Sequence, residues 1–468
     1  NLETKSSFNQ NSLSSYNTCM DFTEKASGIT NINSYWDKTF EEMKWFPGGF
    51  LNMAHESIDR HARSHMRNKL ALIWEGNQNQ IKTYTFHEIK TESDRTANVL
   101  KSLGITKGDR IFVYMNRIPE LYFTFLAALK IGALVSCISP LLDKTEVKKR
   151  MSDNHVKVVF TQPHLRMKMG DIVYELFDLQ HIVVVNGDLA DAIPLNMADL
   201  SYEEEVSKAD DDFRCLRTSQ LDEATITYTS GNQGNPKAII HSHQAVVQQF
   251  ASGKSALELT SEDIYWCTFD PGNMIGLTYG ITAPWSNGVT QLMTEDNLDV
   301  ASTFKLLQKY NISVLLTSPE NLTSLKVNAD DISGNVDLPK LKRIINIGQI
   351  LHPDVAKWWY DYINFHPINA YIETECGSIV CSTSSENASK SGSIGKPVEG
   401  IDLAILDDKF KPLPNSITGN LAVHLPFPSL FESYSGNTEL YRSRIKKNWY
   451  ITGDQAWKDQ DGDYWLEK

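Results

Sequence analysis

From Leu121 to Leu142 the chain carries a single charge, Lys130. A run this apolar either crosses a bilayer or lies inside a large core. Gly132 interrupts the run and Ser139-Pro140 ends it, and Pro119 stands where proline suits a first helical turn. The pattern therefore predicts no span. It predicts a helix from Pro119 to about Gly132 and a buried strand over Ala133–Ile138. Helix then buried parallel strand is the repeating step of an α/β fold.

That step recurs along the chain. Ala71–Trp74, Arg110–Met115, Lys157–Thr161 and His181–Val185 read as strands. Thr85 to Leu103 reads as a helix, with Thr85 and Glu88 as its capping box, Ile89, Ala97 and Leu100 on one face, and Gly104 as its stop. A second block from about 222 to 400 alternates in the same way. Thr225–Thr229, Ala238–His241, Val314–Thr317 and Arg343–Ile347 read as strands, and Gln244–Leu257 as a helix. From about 401 the text changes to short strands and turns, as in Asp402–Leu406, Asn420–His424 and Trp449–Thr452, which predicts a small β-rich subdomain. The expected division is an N-terminal arm or tail over 1–34, a first αβ subdomain over 35–221, a second over 222–400 and the β-rich part over 401–468. The acidic runs Glu203–Glu205 and Asp210–Asp212 read as a solvated linker between the blocks.

Charge and cysteine usage narrow the function classes. Forty-five Lys and Arg stand against 58 Asp and Glu, a net charge of −13. A general nucleic-acid or anionic-membrane binder needs the opposite balance. Six cysteines (Cys19, Cys137, Cys215, Cys267, Cys376 and Cys381) are scattered without a CxxC pair. They read as reduced thiols of a cytoplasmic protein, with poor spacing for zinc at Cys376 and Cys381. The start shows no charged segment leading into an apolar one, so no signal peptide is expected.

Three motifs carry chemistry. The first is Tyr228-Thr229-Ser230-Gly231-Asn232-Gln233-Gly234-Asn235-Pro236-Lys237. An apolar strand enters a loop of hydroxyls, glycines and a lysine, which suits a polyphosphate because glycine lets backbone N–H groups approach an anion. It also suits a plain surface hairpin. It is not a Walker loop, since Ala238 stands where a hydroxyl would hold magnesium. The second is Tyr371-Ile372-Glu373-Thr374-Glu375, after a strand over His366–Tyr371. It fits either a magnesium carboxylate beside a phosphate or a solvated turn. The third is Trp449-Tyr450-Ile451-Thr452-Gly453-Asp454, in which Asp454, following a strand and a glycine, has the chemistry to accept hydrogen bonds from ribose hydroxyls. Asp461-Gly462 is a hairpin turn signal and not a calcium loop.

In this order the three motifs resemble the adenylate-forming superfamily of acyl-CoA synthetases, luciferases and peptide-synthetase adenylation domains. That family reads roughly Thr-Ser-Gly-(Ser/Thr)-Thr-Gly-x-Pro-Lys-Gly, then Tyr/Trp-x-x-Thr-Glu, then Thr-Gly-Asp. Gly392-Ser393-Ile394-Gly395-Lys396-Pro397 also matches. Ile264-Tyr265-Trp266-Cys267-Thr268, Asp270-Pro271-Gly272, Tyr279-Gly280, and the arm Asn52–Arg60 with Asp59-Arg60-His61, resemble the acetyl-CoA synthetase and short-chain branch. The resemblance covers about residues 35–468. It implies an α/β fold of two stacked αβ subdomains in αβαβα layers, plus a small distorted β-barrel subdomain. It implies a ligase that joins a carboxylic acid to ATP as acyl-AMP, then passes the acyl group to coenzyme A. Thr229, Ser230, Gly231, Asn232, Gln233, Gly234 and Lys237 would form the phosphate loop. Thr374 would face the α-phosphate and Glu375 would hold Mg2+, with Thr374, Glu375 and Lys237 as the catalytic set. Tyr371 would lie against adenine, with Gly348, Gln349 and Ile350 on its other side and Asn369 in the same nucleotide pocket. Asp454 would hold the ribose. Implied partners are a small carboxylic acid, ATP and CoA, with no nucleic acid and no membrane span.

Several positions depart from the family. Asn232-Gln233 replaces two hydroxyl residues, Ala238 a glycine, Gly348-Gln349-Ile350 a Gly-Glu-Pro, and Glu373 a Gln or Met. Ile372 stands where acetyl-CoA synthetases carry the Trp that closes the pocket on two carbons, and Asn273 replaces another Trp. Met274, Ile275 and Ile347 would be the neighbours of Ile372. The expected acid is therefore larger than acetate: propionate, a branched short-chain acid or a medium-chain acid. The family continues past Thr-Gly-Asp into a hinge and a small C-terminal domain with a catalytic lysine. The sequence ends at Lys468, and the expectation is a fragment without that domain, adenylating slowly. Two alternatives stay open. One is a noncatalytic nucleotide- or acyl-AMP-binding paralogue with a degenerate phosphate loop. The other is a peptide-synthetase adenylation domain, which would need an Asp for an amino group that the sequence does not place.

Overall fold

A computed structural model describes residues 30–43, 50–77, 80–186, 198–229, 236–295, 299–329, 338–385, 390 and 392–467, with side chains from residue 35 onward. The expected arm over residues 1–29 and Cys19 lie outside the described residues.

The local signals act where the sequence puts them. Thr85 caps the helix Phe86–Ser102, and Glu88 reaches back to complete the box. Pro119 opens the helix Pro119–Lys130, buried along its length except at Glu120. The strand Leu134–Cys137 follows and is wholly buried. No described helix is long and apolar enough to cross a membrane. Cys137, Cys215, Cys267, Cys376 and Cys381 are free thiols.

Among the described residues the strands form three sheets. The first has eight strands, in the order Ser433–Tyr434, Ala238–Ser242, Glu223–Tyr228, Leu134–Cys137, Arg110–Tyr114, Val158–Thr161, His181–Val184 and Leu200–Ser201. From Glu223–Tyr228 onward its neighbours run parallel. The second has nine, in the order Lys396–Pro397, Ile379–Ser382, Ile368–Ile372, Arg343–Ile347, Val314–Thr317, Ile264–Cys267, Thr290–Thr294, Leu70–Glu75 and Ile81–Thr85. A small antiparallel sheet joins Leu403–Leu406, Gly419–His424, Trp449–Lys458, Ile445–Lys446 and Tyr464–Leu466.

This order corrects three expectations. A cut between 221 and 222 does not separate the sheets. The hairpin Leu70–Thr85 edges the second sheet, where Leu72 pairs with Gln291. Glu223–Tyr228 belongs to the first sheet, where Val135 pairs with Thr225. The buried strand Leu134–Cys137 needs a partner on each edge for its backbone groups, and the later strand supplies one. Of the two acidic runs, both largely exposed, only Asp210–Asp212 lie in an irregular connection; the other run is helical. Glu203–Glu205 fill the first turn of the helix Tyr202–Lys208, capped by Ser201, where negative charge is favourable. Asp210–Asp212 lie on the helix Phe86–Ser102: Asn98 Nδ2 donates to Asp210 O (2.8 Å) and Asp212 O (3.0 Å), and Arg95 pairs with Asp211. Finally, Asp454 does not follow a strand; it lies inside one, Trp449–Lys458. There Ala422 pairs with Ile451 but Asn420 with Gln455, so the long strand carries extra residues at this point. Such a bulge kinks the strand and re-aims a side chain, and Gly453 takes φ +99° to make the turn.

One buried ionic knot ties the arm to the helices. Lys130, fully buried, has Nζ 2.8 Å from Asp59 and 2.6 Å from Asp94, and Lys90 pairs with Asp94 as well. The adjacent Arg60 and His61 both reach Ser286 O, in the helix Ala283–Ser286 just before the strand Thr290–Thr294 of the second sheet.

Candidate active site

Two aromatic hydroxyls bring the second and third motifs together. Tyr371, next to last in the strand Ile368–Ile372, has its O–H 2.7 Å from Asp454 Oδ2 and 3.2 Å from Glu373 Oε1, donating to one at a time. Tyr434 donates to Glu375 Oε1 at 2.7 Å. Tyr434 sits on the short strand that pairs with Ala238–Ser242, directly after Lys237. Lys237 Nζ lies 5.7 Å from the centre of the Tyr434 ring. Lys237, Tyr434 and Glu375 form one line of contacts, Tyr371 and Asp454 a second. Glu373, hydrogen-bonded to Tyr371 and facing the Glu375 charge, joins the two.

The first motif is described at its ends. Thr229 N–H donates to Lys237 O (3.1 Å), and Lys237 N–H donates to Thr229 Oγ1 (3.2 Å), closing the base of the loop. Ser230, Gly231, Asn232, Gln233 and Gly234 lie outside the described residues. Thr374, Glu375 and Cys376 form one 3-10 turn, closed by Gly377 at φ +66°. A Cβ at Gly377 would lie 2.6 Å from Ser429 O and 2.8 Å from the His241 ring, so the turn admits no side chain there. His241 is pushed down to about 4 by burial and is neutral at pH 7.

The expected adenine-side residues share one hydrogen-bonded shelf. Asn346 Nδ2 donates to Gln349 O (2.6 Å) and to Asn369 Oδ1 (3.0 Å). Asn369 N–H donates to Thr383 Oγ1 (2.8 Å). Gly348 takes φ +104° after the strand Arg343–Ile347, and Ile350 packs on the main core.

Of the expected acyl-pocket residues, Ile347 is buried in that core, and Ile275 and Ile372 pack against it. Met274 is also buried, with Sδ accepting from the Thr278 hydroxyl (3.0 Å). The same hydroxyl lies 3.3 Å from Gly377 O. Asn273 uses its side-chain oxygen as a helix cap, accepting from Gly276 N–H (2.9 Å).

Among the described residues no group of three or more His, Cys, Asp or Glu is arranged to hold a metal. Mg2+ does not require one, because it binds through one or two carboxylates plus substrate phosphates and water. Glu375, a buried carboxylate at the turn between Lys237 and Asp454, fits that role.

Sequence reasoning missed Tyr434 and Arg444. Tyr434 lies on a two-residue strand too short for any periodicity to show. Arg444 belongs to the basic run Arg442, Arg444, Lys446 and Lys447 just before the third motif, a signal present but unused. Its Nη1 donates to Thr452 O (3.0 Å) and Ile451 O (3.4 Å).

Glu373 has a consequence of its own. Burial first, then the charges of Glu375 and Asp454, push its carboxyl up to about 8 from the ordinary 4.5. The folded chain keeps this proton up to about pH 8, while the unfolded chain releases it near 4.5. Between those values the folded state binds more protons, so stability falls as pH rises. Glu373→Gln removes the effect. Melting curves from pH 5 to 9 are expected to show the variant gaining about 2–4 °C or more on the parent at pH 9 and little at pH 5. A constant difference across that range would contradict the assignment.

A family described as AMP-binding enzyme matches residues 58–435. The chain is similar to the acetyl-coenzyme A synthetase of Bacillus subtilis (strain 168), 35% identical over 452 residues, covering 94% of this chain and 77% of that protein. It is also similar to the acetyl-coenzyme A synthetase of Methanothrix thermoacetophila, 30% identical over 452 residues, covering 91% and 68% respectively. Among solved structures, a Brucella canis acyl-CoA synthetase superposes with a TM-score of 0.84 at 24% identity, covering 92% of this chain and 77% of that one. The anthranilate CoA ligase AuaEII, solved with anthranoyl-AMP, gives 0.82 at 23% identity, covering 90% and 78%. At these identities the structural likenesses bear on the fold.

Proposed function

Because this chain belongs to the AMP-binding enzyme family, we propose that its AMP-forming acid–CoA ligase site takes a carboxylic acid larger than acetate. The reaction class needs two transfers. The acid's carboxylate oxygen attacks the α-phosphorus of ATP and pyrophosphate leaves with the bond electrons. The thiol of coenzyme A then attacks the acyl carbonyl, loses its proton, and AMP leaves.

One observation carries the placement of the site. The contacts Tyr371–Asp454 and Tyr434–Glu375, both 2.7 Å, bring together groups from distant parts of the sequence. Asp454, aimed by its bulge, holds the ribose hydroxyls. Thr374 donates to the α-phosphate, and Lys237 steadies the pyrophosphate end. Fixed donors of this kind stabilise charge that builds up in the transition state without reorganising. Mg2+, when bound at Glu375, neutralises phosphate charge. Gly348, Gln349, Ile350 and Asn369 hold the adenine.

The size of the acid rests on residue types at the expected acyl pocket. Ile372 carries a sec-butyl group where the resemblance places an indole, and Ile347, Ile275 and Met274 are the neighbours that the motif alignment implies. Each further methylene that is buried is worth about 0.8 kcal/mol, roughly fourfold in affinity. Calorimetric titration with nonhydrolysable acyl-AMP mimics of two to eight carbons is expected to show affinity rising about fourfold per carbon for at least the first two added carbons. Asp454→Ala is expected to weaken the whole series by about tenfold or more, because it deletes a charged acceptor. Tightest binding of the two-carbon mimic would refute the enlarged pocket. A folded sample that binds no member would refute the ligase reading itself.

A further inference from the structure

Glu375 and Asp454 converge on the site beside Glu373, and a phosphorylated ligand adds negative charge of its own. Two described cations approach. Lys237 is engaged on the face of Tyr434. Arg444 ends the helix Thr438–Arg444 and comes in behind the third motif. Its guanidinium lies so close to the bulged turn that a Cβ on Gly453 would stand 2.7 Å from Nη1. While Nη1 caps the carbonyls of Ile451 and Thr452, the group as a whole faces Tyr434, Glu373 and Glu375.

A ligand with its ribose at Asp454 and its metal at Glu375 would carry its 5′-phosphate between them, and Arg444 neighbours both, hydrogen-bonded to Thr452 O two residues before Asp454 and interacting with Glu375. We propose that Arg444 is a phosphate-binding residue of this site, its guanidinium pairing with the α-phosphate of AMP, ATP and the acyl-adenylate. A guanidinium suits the task because its planar fork donates two parallel hydrogen bonds to a phosphate while another N–H remains on a carbonyl. The inference rests on the nucleotide-site reading above, and goes beyond it in naming the group.

The plain alternative is that Arg444 only braces the turn. Titration of the parent, Arg444→Met and Arg444→Lys with AMP and with adenosine, without metal, separates the two. A phosphate contact predicts that Arg444→Met loses about tenfold or more in AMP affinity, the range for a charge-assisted hydrogen bond, while adenosine changes far less. Arg444→Lys should recover part of the loss, keeping the charge without the fork. Equal weakening of AMP and adenosine in Arg444→Met would overturn the proposal in favour of the brace, and no change in either would overturn it outright. Melting curves establish that each variant is folded. If Arg444→Met fails that check, Arg444→Lys decides: an AMP-to-adenosine affinity ratio equal to the parent's overturns the proposal, and a reduced ratio supports it. A parent that binds neither ligand removes the nucleotide site and the proposal with it, an outcome distinct from all the others.

Discussion

Lys130→Met is expected to destabilise the protein by about 3–5 kcal/mol, the usual cost of leaving a buried charge without its partner. Lys130 Nζ is fully buried between Asp59 and Asp94 at 2.8 and 2.6 Å. Methionine fills much of the same volume, so the loss reports charge and not a cavity. Lys90 still pairs with Asp94, but Asp59 has no second cation in the knot. Adding Asp59→Asn to Lys130→Met should recover much of the loss, because that pair is then neutral while Lys90 keeps its partner Asp94. Denaturant unfolding of the three proteins checks this. A single variant within about 1 kcal/mol of the parent would mean that the knot contributes no more than an ordinary surface pair.

The second large effect is at Glu375. Glu375→Gln keeps the shape and leaves an amide oxygen for the Tyr434 hydroxyl, but removes the charge that we assign to Mg2+. Acid-dependent ATP–pyrophosphate exchange is expected to fall by about 10²–10³, the range for losing one fixed electrostatic group at a reacting centre. A binding readout stands beside it. Mg2+ should strengthen ATP binding to the parent and fail to do so in the variant, while metal-free AMP affinity stays within about threefold. A magnesium effect of equal size in both proteins would move the metal away from Glu375.

What could be read beforehand divides along the range of the forces involved. The Thr85–Glu88 capping box and Pro119 act within one helical turn, and both read correctly. Strands Val314–Thr317 and Arg343–Ile347 match to the residue, because a short buried run bounded by polar residues is itself a local signal. Strand partners are not local. Nothing near Leu70 says that its strand joins one sheet while Glu223–Tyr228 crosses to the other. The site shows the same split. Thr374, Glu375 and Asp454 were legible as types in a pattern, whereas the bulge that aims Asp454 depends on pairing with Gly419–His424. Tyr434 was invisible because its role comes from lying across from Ile239. Glu373 was visible as an oddity, but its affinity for a proton arises from burial and from carboxylates two and 81 positions away, at Glu375 and Asp454.

The exchange of strands between the sheets also sets a timetable for synthesis. Leu72 and Ile73 are buried in the finished protein, yet their parallel partners Gln291 and Leu292 leave the ribosome more than two hundred residues later. At about 5–20 residues per second that is a wait of roughly 10–40 s. Meanwhile the hairpin Leu70–Thr85 carries an open, apolar edge. The first sheet faces a shorter delay of the same kind, since Leu134–Cys137 waits for Glu223–Tyr228. Neither half can close before the other has begun, so the nascent chain is most exposed to wrong pairing and to chaperones in the interval before the strand Thr290–Thr294 emerges.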